Sequence, residues 1–205
     1  MNSVKPLYID MVEKYFRRFM PMSRKDVENF MNYCAFREFR KKEIILDSGE
    51  TENYLNLVLK GVVRKYIKAG KKDVTLQLAT EGHVVNSEIS FLTRRPTIVI
   101  LEALEPVMLC SLSHKNMEAA LDRHPLGERF GRLTISGMYI KKDEKRYTQL
   151  SKSTRELFLG YVENHPDMLQ RVPQKYLASY LNIKPETFSR LKHLIRVKKT
   201  DQVQE

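Results

Sequence analysis

The sequence predicts an α+β chain in three parts: N-terminal helices leading into an all-β barrel or roll, then a long helix, then a C-terminal helix-turn-helix. Three observations predict it. From Glu43 to Leu112, short runs of β-branched and aromatic residues are punctuated by Gly49, Gly61, Gly70 and Gly82 at roughly ten-residue spacing. From about Leu126 to Tyr147, apolar and small residues recur in alternating steps of four and three. In "QKYLASYLNIKPETFSRL", residues 174–191, an apolar rhythm breaks at Leu181-Asn182-Ile183 and then resumes, with Pro185 between.

The elements follow in order. "PLYIDMVEKYFRRFM" puts Ile9, Val12, Tyr15 and Phe16 on one helical face, and "SRKDVENFMNYC" begins with Ser23, a helix-capping residue. The helical character is expected to last to about Phe39. The β region contains "EIILDSGE", "YLNLVLKG", "VVRKYIKAGKKDVTLQLATEGHVV" and "TIVILEALEPVMLCSLS", with Ala69-Gly70 as a hairpin turn. "SHKNMEAALDRH" reads as a short helix closed by Pro125. The long helix then places Leu126, Phe130, Leu133, Gly137, Ile140, Glu144 and Tyr147 on a seam of coiled-coil spacing, against a second copy or against its own domain. Ser153 and Glu156 form a capping box for a helix ending near Asn164-His165-Pro166.

Composition bounds the partners. The 205 residues carry 36 Lys and Arg against 25 Asp and Glu, a net charge of +11 that favours a polyanion such as nucleic acid or an acidic membrane surface. Two cysteines, Cys34 and Cys110, cannot supply a disulfide framework or a four-thiolate cluster. "MNSVKPLYIDMVEKYF" has charges where a leader would have its apolar segment, and no run of about 18 apolar residues occurs, so a cytoplasmic chain with no membrane partner is expected.

Numbered from Gln174, the C-terminal stretch has Ala178 fifth and Asn182 ninth. The fifth residue of a helix-turn-helix must be small where the helices cross, and the ninth must tolerate a left-handed backbone. Pro185 suits the first turn of the second helix. With Phe188, Leu191 and Ile195 inward, Glu186, Ser189, Arg190 and His193 face outward. Arg190 can offer a bidentate fork to guanine, and Glu186 can accept from cytosine. Lys184 stands where a cation favours a nearby phosphate. Residues 184–199 hold six Lys or Arg and one Glu, a net +5 that attracts DNA irrespective of sequence. The candidate DNA contacts are Lys175, Lys184, Glu186, Thr187, Ser189, Arg190 and His193.

With "ASYLNIKPETFSRL" as its most specific part, the chain resembles the Crp/Fnr family of bacterial transcription regulators over nearly its whole length. The resemblance implies a double-stranded β-helix, or jelly-roll, sensor domain over residues 1–124. A dimerisation helix over 125–149 and a helix-turn-helix DNA-binding domain over 150–205 complete it. In the family the pair resembling Glu186 and Arg190 reads bases; a third Arg common before the Glu is Pro185 here. The winged hairpin expected between about Pro166 and Val172 is reduced, since "DMLQR" is short. Double-stranded DNA, a second copy of the chain, RNA polymerase and an unidentified small-molecule effector are the implied partners.

Cyclic-nucleotide-binding members carry a phosphate cassette, and "NSEISFLTRRPTIVILEAL" keeps its Glu as Glu88. The Gly place holds Ser87, and the Arg-Ser places align with Thr97 and Ile98, so the Arg that would pair the phosphate is missing and cAMP is not expected. Arg94 and Arg95 are candidate substitutes, and Ile140 and Lys141 fall where the long helix would meet a base. These eight residues are the candidate effector pocket. No cofactor is expected. A lone His83 in "EGHVV" reads as a surface residue, with an axial haem ligand as the alternative. A ligand-binding roll with a vestigial DNA domain is the competing function. No nucleophile elbow, Gly-rich phosphate loop or metal-spaced His cluster supports an enzyme.

Overall fold

The computed structural model describes residues 6–123 and 126–201, with side chains through His193. Two N-terminal helices, α1 (Pro6–Phe16) and α2 (Arg24–Met31), precede eight strands. The capping box of α2 pairs Ser23 with Asp26, as the start signal at Ser23 requires. The strands are β1 (Cys34–Phe39), β2 (Ile44–Leu46), β3 (Tyr54–Lys60), β4 (Val63–Ala69), β5 (Lys72–Ala79), β6 (Val84–Val85), β7 (Val99–Ala103) and β8 (Val107–Ser113). They form two antiparallel sheets, ordered β1-β8-β3-β6 and β2-β7-β4-β5, which face each other as a roll. A short helix, α3 (Glu88–Thr93), interrupts the strands.

Several expectations need correction. Cys34–Phe39 is a strand paired with β8, not the end of the helical stretch. "CAFREF" alternates, and β8 presents an open edge for it. The β4–β5 turn is Gly70-Lys71, since Ala69 pairs with Lys72; Gly70 takes φ +60. Between Pro166 and Val172 lies a helical turn, α7 (Met168–Arg171), in place of a reduced wing hairpin.

Three apolar clusters organise the chain. Val58, Val63, Leu101 and Leu109 fill the inside of the roll. On the outer face of the first sheet, Leu57, Leu59 and Cys110 meet Val12, Phe16, Phe30 and Phe130. β3 therefore buries both faces, and its run "YLNLVL" is broken only by Asn56, which is buried and accepts from Ser111 Oγ at 2.8 Å. The third cluster joins Val62 and Leu104 of the roll to Phe158, Met168, Leu177, Ala178 and Phe188 of the C-terminal helices.

After α4 (His114–Arg123) comes α5 (Gly127–Ser151). The proposed stop at Pro125 lies outside the described residues, and Ile195 lies beyond the last described side chain. The upper half of the expected seam on α5 faces its own chain. Phe130 stacks edge-on against Phe16 and Phe30, with ring centroids 4.6 and 5.2 Å apart. Leu126 and Leu133 pack on the same cluster. A Cβ on Gly137 would come within 2.9 Å of Phe19, so Gly137 admits an N-terminal aromatic rather than a partner helix. Ile140, Tyr147 and Leu150, further along α5, are exposed.

The C-terminal unit consists of α6 (Thr154–Asn164), capped by the Ser153–Glu156 box, then α7, α8 (Gln174–Tyr180) and α9 (Pro185–Asp201). Phe158 and Phe188 stack edge-on at 5.1 Å and close its core.

Candidate functional site

Two helices and a four-residue turn make the first site. Asn182 adopts φ +54, the left-handed conformation anticipated for the ninth position. Ala178 is buried at the crossing, and its carbonyl accepts from the Ile183 N–H at 3.0 Å. The Lys184 carbonyl accepts from the Phe188 N–H at 3.0 Å, so α9 begins where Pro185 stands. Inward Phe188 and Leu191 leave Lys184, Glu186, Ser189, Arg190 and His193 exposed, with Thr187 half-buried beside them. Lys175, on α8, is exposed and lies 4.9 Å from the Tyr176 ring centroid. All seven candidate contacts therefore belong to one helix pair.

The expected effector pocket is brought together only in part. Ser87 and Thr97 are buried and meet through their hydroxyls at 2.8 Å. The Ser87 N–H donates to Glu52, whose carboxyl is pushed up by burial. Glu88 is exposed at the start of α3 and pairs with Lys65. Arg94 caps α3 with φ +58 and donates to the Glu52 carbonyl at 2.6 Å and to Asn53 Oδ1, so its guanidinium is spent on a loop. Arg95 is exposed, and its carbonyl accepts from Ser90. Ile98 is 71% exposed, and Ile140 and Lys141 point to solvent on α5. Ser87, Arg94, Arg95 and Thr97 thus gather around the α3 loop and bond within it, whereas Ile98 turns outward beside inward Thr97 and Ile140 and Lys141 lie on α5. His83 is exposed, and its Nδ1 engages Thr80 Oγ1 at 3.1 Å.

A cavity that the residue pattern did not reveal lies on the other face of the first sheet. It is a partly open space of about 220 Å³ lined by α1, α2, α3, α4 and α5. Phe16, Phe30, Leu57, Leu112, Phe130 and Met138 line it, and of the expected pocket only Glu88 reaches it. Asn86 and Thr134 also line it; both are buried, and among the described residues Asn86 Oδ1 and Thr134 Oγ1 have no hydrogen-bond partner. Cys34 and Cys110 border it as free thiols. Hydrogen bonding to Cys34 and burial push the Cys110 thiol well up, so it is not a ready nucleophile.

Around the third cluster, two buried or part-buried arginines help join the roll to the C-terminal unit. Buried Arg64 donates to Thr75 Oγ1 at 3.1 Å and to Asp73, and stacks between Tyr66 and Tyr176 at 3.9 and 3.7 Å. Arg171 donates to Glu81 and Glu105 of the roll, at 2.8 and 2.6 Å, and to Asp167. Glu81 also accepts from the Gly61 N–H at 2.8 Å. A Cβ on Gly61, which has φ +92, would lie 2.6 Å from the Pro106 carbonyl, so glycine is required there.

Residues 36–124 match the cyclic nucleotide-binding domain family. The fold is similar to that of the catabolite activator protein of Thermus thermophilus, with TM-score 0.54 and 21% identity over 88% of this chain and 87% of that one. It is also similar to FixK2 of Bradyrhizobium japonicum, at TM-score 0.66 and 16% identity over 81% and 86%. The c-di-GMP-responsive global regulator CLP of Xanthomonas campestris aligns at TM-score 0.63 and 15% identity, over 86% and 93%. No curated protein sequence matches the chain. Among the described residues, no helix is long and apolar enough to cross a membrane.

Proposed function

We propose that this chain is a sequence-specific DNA-binding transcription regulator of the Crp/Fnr type. It works as a homodimer on an inverted-repeat operator, under the control of a small molecule other than cAMP. The observation that carries this reading is the α8–α9 pair. Its turn has the left-handed Asn182, its core is closed by Ala178 and Phe188, and one face of α9 is left polar and exposed. That face holds Arg190 and Glu186 one turn apart, with Lys184 at the helix start, which suits base contacts flanked by a phosphate contact.

Dimerisation rests on the lower half of α5. Tyr147 and Leu150 are 62% and 76% exposed, and Ile140 lies seven residues before Tyr147, the spacing of a two-helix seam. A second copy docked there would bring two α9 helices to one face of DNA, about 34 Å apart for successive major grooves. The place of the phosphate-binding Arg-Ser pair is taken by Thr97, already bonded to Ser87, and by exposed Ile98; this argues against a cyclic phosphate at that point.

Selection from random duplex DNA by the purified protein tests the reading. Enrichment of an inverted repeat with half-site centres one helical turn apart is expected. Recovery of sequences no different from the starting pool, at a salt concentration where binding persists, would reject it.

A further inference from the structure

Cys34 on β1 and Cys110 on β8 are free thiols on strands that pair in the first sheet. Cys34 stands opposite Leu112 and Cys110 opposite Phe36, so the two cysteines are diagonal neighbours across the ladder. Residues two apart on a strand share a face, which puts both side chains on the same side of the sheet. Both border the apolar cavity there, and their thiols hydrogen-bond to each other. Diagonal neighbours in an antiparallel pair typically stand about 7–8 Å apart, beyond the roughly 4.4–6.8 Å that a relaxed disulfide spans between Cα atoms. One atom bonded to both sulfurs bridges a longer gap than a direct S–S bond. Met117 and Met138 add two thioethers to the same wall, polarizable contacts for a soft atom. The space beside the thiols, about 220 Å³, exceeds the roughly 150 Å³ of an engineered apolar cavity that takes benzene.

We infer that Cys34 and Cys110 together bind a trivalent organoarsenical, with its aryl or alkyl group seated in the apolar cavity beside them. In water such a compound is R–As(OH)2. Each thiol exchanges for one hydroxyl: an S–H and an As–O bond break, and an As–S and an O–H bond form. Two waters leave, neither arsenic nor sulfur changes oxidation state, and the product carries no charge. That neutrality suits the site. Hydrogen bonding and burial keep the Cys110 thiol protonated, and here its proton leaves within a water. A monovalent soft cation such as Cu(I), held by two thiolates, leaves a net negative charge against apolar walls. Among the described residues no three His, Cys, Asp or Glu come together, so a zinc-like ion has no ligand set. Half-buried Cys34 forms the first As–S bond, and Cys110 beside it closes the second at high effective concentration. The thiols belong to the first sheet, whereas Phe130 and Met138 of α5 wall the cavity, so the adduct ties the sheet to the long helix. Any effect on DNA binding rests on the proposed function; the binding itself does not.

The test uses phenylarsine oxide, which hydrates to the diol, and inorganic arsenite, on the reduced full chain without DNA. Omitting DNA keeps this inference separate from the regulator reading, since either can fail alone. Intact-mass spectrometry, thiol counting and calorimetric titration read the outcome. Phenylarsine oxide should add once per chain and remove both free thiols. It should bind about 10-fold or more tightly than arsenite, whose third hydroxyl takes the place of the buried phenyl group. Cys34→Ser and Cys110→Ala should each weaken it about 100-fold or more, the loss of intramolecular closure. The compound should raise the melting temperature of the unaltered chain and leave that of each variant in place, a comparison that holds even where a variant is less stable. Binding that either variant retains would mean that one thiol suffices and would overturn the assignment. So would the absence of an adduct on the folded chain. Arsenite binding as tightly as phenylarsine oxide would place the phenyl group outside the cavity and reject the ligand class.

Discussion

The Arg64 guanidinium, on β4 of the roll, lies 3.7 Å from the ring centroid of Tyr176 on α8. The same cation stacks on Tyr66 from the roll and pairs with Asp73 and Glu102. Beside it, the Thr75 N–H of β5 donates to Ser179 Oγ of α8 at 2.9 Å. A strand of the roll and the first helix of the α8–α9 pair are thus one packed unit, through a charge that is fully buried and multiply paired. Tyr176→Leu keeps the apolar contact and removes the π face. It should destabilise the chain by about 1–2 kcal/mol, the range for a desolvated cation–π pair. Hydrogen exchange should rise at Thr75 and along α8 before it rises in β3 or β8. Uniform exchange across the roll and the helices would show that Tyr176 does not tie the two together.

Acid should loosen the same junction at its other contact. Burial pushes the Glu81 carboxyl up, but its hydrogen bonds with Arg171 and the Gly61 N–H outweigh this and hold it below its ordinary value. Hydrogen bonding to Arg171 likewise holds Asp167 down. Groups whose pKa is depressed on folding contribute stability above the unfolded value, and that contribution is lost as pH falls through the folded one. The junction should therefore be firm at neutral pH and weaken below about pH 4. Arg171→Met should cost about 1–3 kcal/mol at neutral pH, between the exposed and buried ion-pair ranges. Its deficit should shrink in acid, because Glu81, Glu105 and Asp167 then stop repelling one another. Chemical denaturation of both proteins at pH 7 and pH 4 measures this; a deficit that grows in acid contradicts the assignment.

Asn182 gives a backbone prediction. Its φ of +54 costs a β-branched residue more than it costs Asn, and costs Gly nothing. Asn182→Gly should change stability by less than about 0.5 kcal/mol, and Asn182→Val should lose about 1–2 kcal/mol. Thermal unfolding of the two variants suffices. Equal losses would mean that the side chain, not the backbone, is what the turn needs.

What was legible in the sequence was what local chemistry dictates. Ser23 announced a helix start as a capping residue, and Ser153 with Glu156 did so because a cap and its return partner lie three residues apart. Asn182, Ala178 and Pro185 announced the turn because backbone geometry admits few residue types there. α3 was hidden, since "EISFLT" spans too few residues to show a period. The seam on α5 left its partner open for another reason. Spacing shows that Phe130, Leu133 and Gly137 share a face, but the nearest partners turned out to be Phe16, Phe30 and Phe19 of the same chain. The cavity was illegible because its walls come from positions as distant as Val12 and Met138, and only tertiary packing brings them together.

The two halves of α5 should respond differently to substitution. Phe130→Ala empties a site walled by Phe16 and Phe30 and should cost about 3–5 kcal/mol of folding stability. The fraction of folded chain that dimerises should not change. Tyr147→Glu places a charge on the exposed half and should give a stable monomer. Sedimentation velocity with thermal unfolding separates the outcomes. A Tyr147→Glu protein that remains dimeric would move the interface away from the lower half of α5.

Arg190 and Lys184 should divide the work of DNA binding. Both are exposed, but Arg190 projects from α9 one turn beyond Glu186, whereas Lys184 stands at the helix start beside the turn. A guanidinium in the groove reads a base edge; an ammonium at the rim meets a phosphate. Arg190→Ala should cost about 1–3 kcal/mol per half-site and relax preference at one base position. Lys184→Ala should weaken all sequences alike and flatten the dependence of log K on log salt by about one unit per half-site. Competition binding on a randomised operator library at two salt concentrations distinguishes them. If the Arg190→Ala protein loses affinity evenly and keeps its base preferences, Arg190 contacts the backbone and the reading of α9 must shift toward Glu186 and Ser189.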